Sequence, residues 1–384
     1  MAGIYIHIPF CRRKCHYCNF FSLASDKLKE PFLPTLKKEI ALTREYLAGE
    51  PVNTIYFGGG TPSLYRPGEL QEVMELLTPT PGPSPRGEGS VLSEVTIELN
   101  PDDVTEEFVA ELKQTWFNRF SLGVQSFSDE DLIYLNRSHT AGQALRAVKL
   151  LHEAGYENIS IDLIYGIPSV APGIWQQNLE TAFSLDVPHI SAYALTVEPG
   201  TPLAWMIGKQ KSPPVCDELQ ADQFRMLVEK TREHGYLQYE ISNFCKPGHH
   251  AIHNTSYWNG ISYLGLGPSA HSYNGTSRRW NVSNLSKYIG CLNNSECIYE
   301  EEQLTSTQKY NEYVMTSLRT MWGCDGKKII LDFGFTIYDF FRKNALPMIG
   351  KGWLTEISGV WFLTDEGKFF ADGIAAELFY TMKE

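Results

Sequence analysis

A chain of 384 residues, 43% hydrophobic and 20% charged, can bury one large core and a smaller second one. No apolar run reaches the roughly 18 residues of a membrane span, and the N-terminus lacks the basic region and apolar run of a secretory signal, so the expected compartment is cytoplasmic. A net charge of −12 with a pI near 5.4 argues against a general grip on phosphate backbones, and no nucleic acid partner is expected.

The alternation of Ile4, Ile6 and Ile8 with Tyr5 and His7 predicts a first strand, after which Cys11 opens a loop. Five further strands are read from TIYFGGG (54–60), VTIELNP (95–101), RFSLGVQSF (119–127), ISIDLIYGIP (159–168) and HISAYALTVEPG (189–200). Helical stretches fall between them, at Phe32 to Leu47, Thr105 to Gln114, Ala141 to Ala154 and Gly173 to Ser184. Strands alternating with helices predict an α/β fold, a partial TIM-type barrel of about six βα units over residues 1–240. The unusual residues cluster just after the strands, where such barrels place their chemistry. TPTPGPSPRGEGS (78–90) has no apolar period and reads as a disordered surface insertion without a catalytic role. Residues 241–300 are rich in glycine, histidine and aromatics, and their turn formers predict a long ordered loop region. A helical period returns from Thr305. The end of the chain reads as a short hairpin and a helix starting near Thr364, making 301–384 a small winged-helix-like domain. Its acidic balance favours docking over DNA reading.

Chemistry concentrates in CRRKCHYCNF (11–20), where Cys11-x3-Cys15-x2-Cys18 fits one tight loop. Iron-sulfur clusters are held by thiolates, and a cubane held by only three leaves one iron free to bind something else. Zinc held by the three cysteines with His16 or His7 is the alternative. Cys216, Cys245, Cys291, Cys297 and Cys324 show no partnering C-x2-C and read as buried or half-buried thiols. Cys245, His249, His250 and His253 could form a second metal site, although no periodic scaffold holds them.

The cysteine spacing, with Tyr17 before the last thiol, resembles the radical S-adenosylmethionine (radical SAM) superfamily. YIHIPFC, YFGGGTPS, IELNP, SLGVQSF, LNR, IDLIYGIP, YEISNF, HNTSYW and YLGLGPSAHSY resemble the branch that holds the oxygen-independent coproporphyrinogen III oxidases and the HemW heme chaperones. The resemblance covers nearly the whole chain except 78–90. It implies a [4Fe-4S] cluster on Cys11, Cys15 and Cys18, with S-adenosylmethionine chelating the open iron. Gly60 and Thr61 would receive the methionine amino end, which Glu98 would also accept. Gln125 and Asp162 would hold the ribose hydroxyls, Arg137 would pair with the carboxylate, and Tyr5 and Ile164 would line the pocket. His253, within HNTSYW, would ligate heme iron. Arg278 and Arg279 would contact heme propionates or form a solvated turn, and His271 reads as structural.

Three features separate the two relatives. The oxidases resembling this chain carry another cysteine where Phe20 stands, they carry an N-terminal extension that closes over substrate, and HNxxYW marks the chaperones. With the first strand starting by residue 3, no closing arm is expected. The expected function is therefore heme binding and delivery to an apo-hemoprotein client, with peripheral contact to membrane-bound clients. The alternative is oxidative decarboxylation of coproporphyrinogen III. Radical SAM modification of RNA fits the cluster but lacks a basic tract.

Overall fold

The computed structural model describes residues 1–77, 92–168, 173–297 and 299–381, and the insertion read at 78–90 lies outside the described residues. Six strands form the centre of the fold: β1 (Ala2–Ile8), β2 (Val52–Gly59), β3 (Glu94–Leu99), β4 (Arg119–Gln125), β5 (Ile159–Tyr165) and β6 (His189–Ala194). Neighbours in this order pair in parallel. Strands β1, β3, β4 and β5 are close to continuously buried, as expected for a parallel sheet covered by crossover helices. Those helices are Lys29–Thr43, Pro67–Leu77, Glu106–Leu112, Ala141–Glu153 and Ile174–Ser184, and Asp217–Glu233 follows β6. Ala141–Glu153 illustrates why they form. Thr140 and Gln143 make a reciprocal capping box at its start, and Ala144, Ala147, Val148 and Leu151 repeat at the helical spacing and are buried against the sheet.

The sheet does not close. Beyond β6 it continues through Asn243–Cys245 and Leu237–Gln238, both antiparallel. Beyond β1 it continues through Tyr263–Leu266, which runs parallel to β1 with Tyr263 opposite Gly3, and then through His271–Tyr273, Ser277–Asn281 and Tyr299–Gln303. The sequence reading of 241–300 as a loop region is corrected here, because its strands extend the main sheet and HNTSYW lies on a helix, Ile252–Trp258. The turn formers sit between these elements; Gly267, for example, has φ 93° where the chain leaves Tyr263–Leu266. One buried carboxylate ties this extension to the first helix. Glu39 accepts hydrogen bonds from Gly267 N (2.7 Å), Asn281 Nδ2 (2.6 Å) and the Tyr288 hydroxyl (2.6 Å), while burial raises its pKa above the ordinary glutamate value.

The C-terminal residues have a core of their own, including Tyr310, Val314, Phe341 and Trp361. Helices Ser306–Leu318, Gly326–Phe333 and Phe335–Gly350 precede the hairpin Leu354–Ile357 and Val360–Leu363, and Cys324–Asp325 adds a third strand. The following helix begins as a 3-10 turn at Gly367, a little later than the sequence suggests. Met321 N donates to Tyr239 O at 2.9 Å, and Arg232 pairs with Asp365 at 2.7 Å, joining this unit to the sheet. Among the described residues no helix is long and apolar enough to cross a membrane.

Candidate functional site

The cysteine loop follows β1, and its shape is set by groups other than its thiols. Cys11 N donates to Leu23 O at 3.0 Å, Asn136 Nδ2 to Lys14 O at 2.7 Å, and Lys14 Nζ to Phe20 O and Ser22 Oγ, both at 2.8 Å. Cys11, Cys15 and Cys18 are half-buried free thiols that line one cavity of about 670 Å³ at the C-terminal ends of the parallel strands. No three His, Cys, Asp or Glu side chains among the described residues close on a single metal ion. A cubane does not require that, because each thiolate takes its own iron. A zinc site does require it, and none is assembled among the described residues. His7 has both ring nitrogens engaged, by the Tyr5 hydroxyl at 3.0 Å and Phe21 O at 2.8 Å, while His16 donates Nδ1 to Tyr134 O at 2.7 Å and keeps Nε2 free. The grouping of Cys245 with His249, His250 and His253 is likewise not assembled.

The same cavity gathers Gly60, Thr61, Glu98, Gln125, Arg137, Asp162 and Ile164. Gly60 passes so close beneath the cysteine loop that a Cβ there would stand 2.5 Å from Phe10 O and 2.7 Å from Ile8 O. Glu98 accepts from the Tyr56 hydroxyl at 2.8 Å and Gly59 N at 3.0 Å, and burial pushes its pKa up to about 7. Burial likewise pushes Asp162, which accepts from Ser121 Oγ at 3.2 Å, up to about 6. Gln125 ends β4 in the left-handed region at φ 69°, a strained conformation for a residue other than glycine. Arg137 Nη1 lies 3.4 Å from Cys15 Sγ, and its Nη2 donates to Gly123 O at 2.8 Å and to Asn100 Oδ1. Its buried Nε has no hydrogen-bond partner. A carboxylate, a guanidinium with a spare donor and a sugar-facing acid around three thiols fit a zwitterionic amino acid attached to a nucleoside. Tyr56 and Asn100, which anchor Glu98 and Arg137, were missed by sequence reasoning, although both lie inside the quoted stretches YFGGGTPS and IELNP.

Glu98 carries a pH prediction. A neutral carboxyl cannot pair with the cofactor ammonium, whereas the ammonium favours the ionised form and lowers the pKa in the complex. Between about pH 7 and pH 6, S-adenosylmethionine affinity should therefore fall by up to about 10-fold per unit as protons compete. Calorimetry across pH 6 to 8 should show this slope in the wild type and lose it in Glu98→Gln. A flat wild-type profile would refute the assignment.

Three placements differ from the sequence reading. Tyr5 faces a second cavity, not the cofactor cavity. His253 is only 1% exposed. Its Nδ1 lies 2.8 Å from Thr54 Oγ1 and its Nε2 2.8 Å from the Tyr257 hydroxyl, and its ring stacks on Tyr56. Burial pushes its pKa down to about 3. Neither nitrogen can reach iron without breaking one of these bonds, so the expected ligand role is corrected on geometry. Arg279 is buried, with its guanidinium over the rings of Tyr46 and Tyr299, which leaves only Arg278 of the pair at a cavity.

The second cavity, about 1240 Å³, lies between the cysteine loop, residues 257–278 and helix Ser306–Leu318. Asn19 and Phe20 line both cavities, and Phe20 is 66% exposed. Phe20 is thus a shared wall.

Residues 5–176 match the family model of the radical SAM superfamily. The chain is 33% identical to the heme chaperone HemW of Bacillus subtilis, over 97% of this chain and 98% of that protein. It is 31% identical to HemW of Escherichia coli, over 98% and 97%. Among solved structures, coproporphyrinogen III oxidase (HemN) from Escherichia coli, described as a radical SAM enzyme, superposes with a TM-score of 0.82 at 21% identity, covering 98% of this chain and 90% of that one. The last likeness establishes the α/β fold alone, a parallel sheet open rather than closed into a barrel. Full-length identity above 30% establishes more: the chain belongs to the HemW family within the radical SAM superfamily.

Proposed function

We propose that this protein binds heme and delivers it to apo-hemoproteins, holding a [4Fe-4S] cluster on Cys11, Cys15 and Cys18 and S-adenosylmethionine beside it. The observation that carries the reading is the likeness to heme chaperones along almost the entire chain, including the part beyond the superfamily core. When bound, the cluster and S-adenosylmethionine would supply one-electron chemistry at this site. In this reading Arg137 orients the cofactor carboxylate, Glu98 its ammonium, and Gln125 and Asp162 its ribose, with Thr61 and Ile164 completing the walls. Phe20, at the position where the resembling oxidases carry a further cysteine, gives the compartment next to the cluster an apolar wall in place of a thiol.

The test pairs two assays on the reconstituted protein. Loaded with heme, it should convert an apo-hemoprotein to the holo form. Given coproporphyrinogen III and S-adenosylmethionine anaerobically, it should yield no protoporphyrinogen IX. Turnover above about 0.01 per second, still far below the typical enzyme median of roughly 10 per second, would replace the chaperone reading with the oxidase one.

A further inference from the structure

We propose that the iron tetrapyrrole lies in the larger, aromatic cavity with the His271 imidazole as its axial ligand, and that His253 is a positioning residue for Tyr257. The inference rests on the reading of the cargo as heme.

The larger cavity, at about 1240 Å³, exceeds the roughly 300–1,000 Å³ of common small-molecule sites and has room for a planar macrocycle. Its wall carries a run of contiguous rings: Tyr257 meets Tyr263 at 4.6 Å between centroids, and Tyr263 meets Tyr273 at 6.3 Å. Such faces suit a flat π-system. Among the described residues, His7 and His271 line this cavity, and His253 lies behind its Tyr257 wall. His7 and His253 have both nitrogens engaged. The His271 ring lines the cavity, is exposed, and makes no hydrogen bond among the described residues.

His271 is also held on a rigid element. Its strand is anchored by Gly265 N donating to Ser272 Oγ at 2.9 Å, and its ring stacks on Trp280 with centroids 6.0 Å apart. Partial desolvation and the neighbouring Arg278 charge lower its pKa from the ordinary value, favouring the neutral form that binds iron. Heme carboxylates need cations. Lys309 lines the cavity and its ammonium makes no ion pair or hydrogen bond among the described residues, whereas Arg278 is already paired with Glu312 at 2.9 Å. The bond from His253 to the Tyr257 hydroxyl fixes one of the wall rings, which gives the motif histidine a role at the cavity without touching iron. A single protein ligand leaves the opposite face of the iron open to a ligand from the client.

The experiment is a hemin titration of the full chain with its cluster reconstituted, read as difference spectra against the heme-free protein so that cluster absorption cancels. Resonance Raman and electron paramagnetic resonance identify the axial ligand. The wild type should bind one heme per chain with an imidazole signature. His271→Ala should lose that signature and bind about 10-fold or more weakly, with added imidazole restoring the spectrum. His271→Met should shift to a thioether signature, which keeps the test decisive if the alanine variant folds poorly. Lys309→Glu should weaken binding while leaving the ligand signature unchanged, and His253→Gln should keep the imidazole signature. An unaltered signature and affinity in both His271 variants, or loss of imidazole ligation in His253→Gln alone, overturns the inference but leaves the chaperone reading standing. A wild type that binds no heme overturns that reading itself.

Discussion

Anaerobic reconstitution of Cys15→Ala should yield a protein that has lost most of the broad thiolate-to-iron absorption near about 400 nm and most of its bound iron. The central thiol of the loop has no substitute. Arg137 Nη1 stands 3.4 Å from its sulfur. The loop itself should survive the change, because its backbone is held by Leu23 O, Asn136 and Lys14 rather than by the cysteine. Loss of iron in a folded variant would therefore report ligation. Cys216→Ala removes an exposed thiol outside the loop and is the control that should keep its cluster. Wild-type iron content in Cys15→Ala, or equal loss in Cys216→Ala, would refute the three-cysteine assignment.

Arg137→Ala should weaken S-adenosylmethionine binding by about 10- to 100-fold, from a charge-assisted contact of roughly 1.5–3 kcal/mol lost in a screened cavity. The guanidinium already bonds Gly123 O and Asn100, so it is positioned before the cofactor arrives, and its buried Nε has no partner to lose. Arg137→Lys keeps the charge but not the planar fork, and should recover only part of the affinity. Calorimetry on cluster-loaded protein measures both variants. Unchanged affinity in Arg137→Ala would mean that the side chain serves only to join Asn100 to β4.

The parallel strands were legible because each is a run of Ile, Val, Leu and Phe that ends in glycine or polar residues, and the cofactor-side residues were legible because they sit at those ends. Gln125 closes β4 and Glu98 is next to last in β3, whereas Asp162 stands at the middle of β5, three residues before its end. What lay beyond local pattern was facing. A strand period of two puts Tyr5 and His7 opposite Ile4, Ile6 and Ile8. Which cavity that face opens to depends on residues from 257 onward, so Tyr5 was placed in the wrong one. The strand Tyr263–Leu266 escaped notice for a related reason: its partner is β1, and nothing near it in sequence announces the pairing. His253 looked like a free imidazole because Thr54, Tyr56 and Tyr257 surround it only after β2 and the helix Ile252–Trp258 pack together.

The late arrival of that edge partner sets a timetable for biosynthesis. Glu39 waits for Gly267, 228 residues further along, and the free edge of β1 waits for Tyr263–Leu266. At about 5–20 residues per second, the first βα unit leaves the ribosome roughly 10–50 s before its covering strand exists. For that interval a strand carrying Ile4, Ile6 and Ile8 shows unpaired amides and carbonyls to the cell, a template for edge-to-edge association. Yield of folded protein should thus depend on translation speed and nascent-chain protection over the first two-thirds of the message.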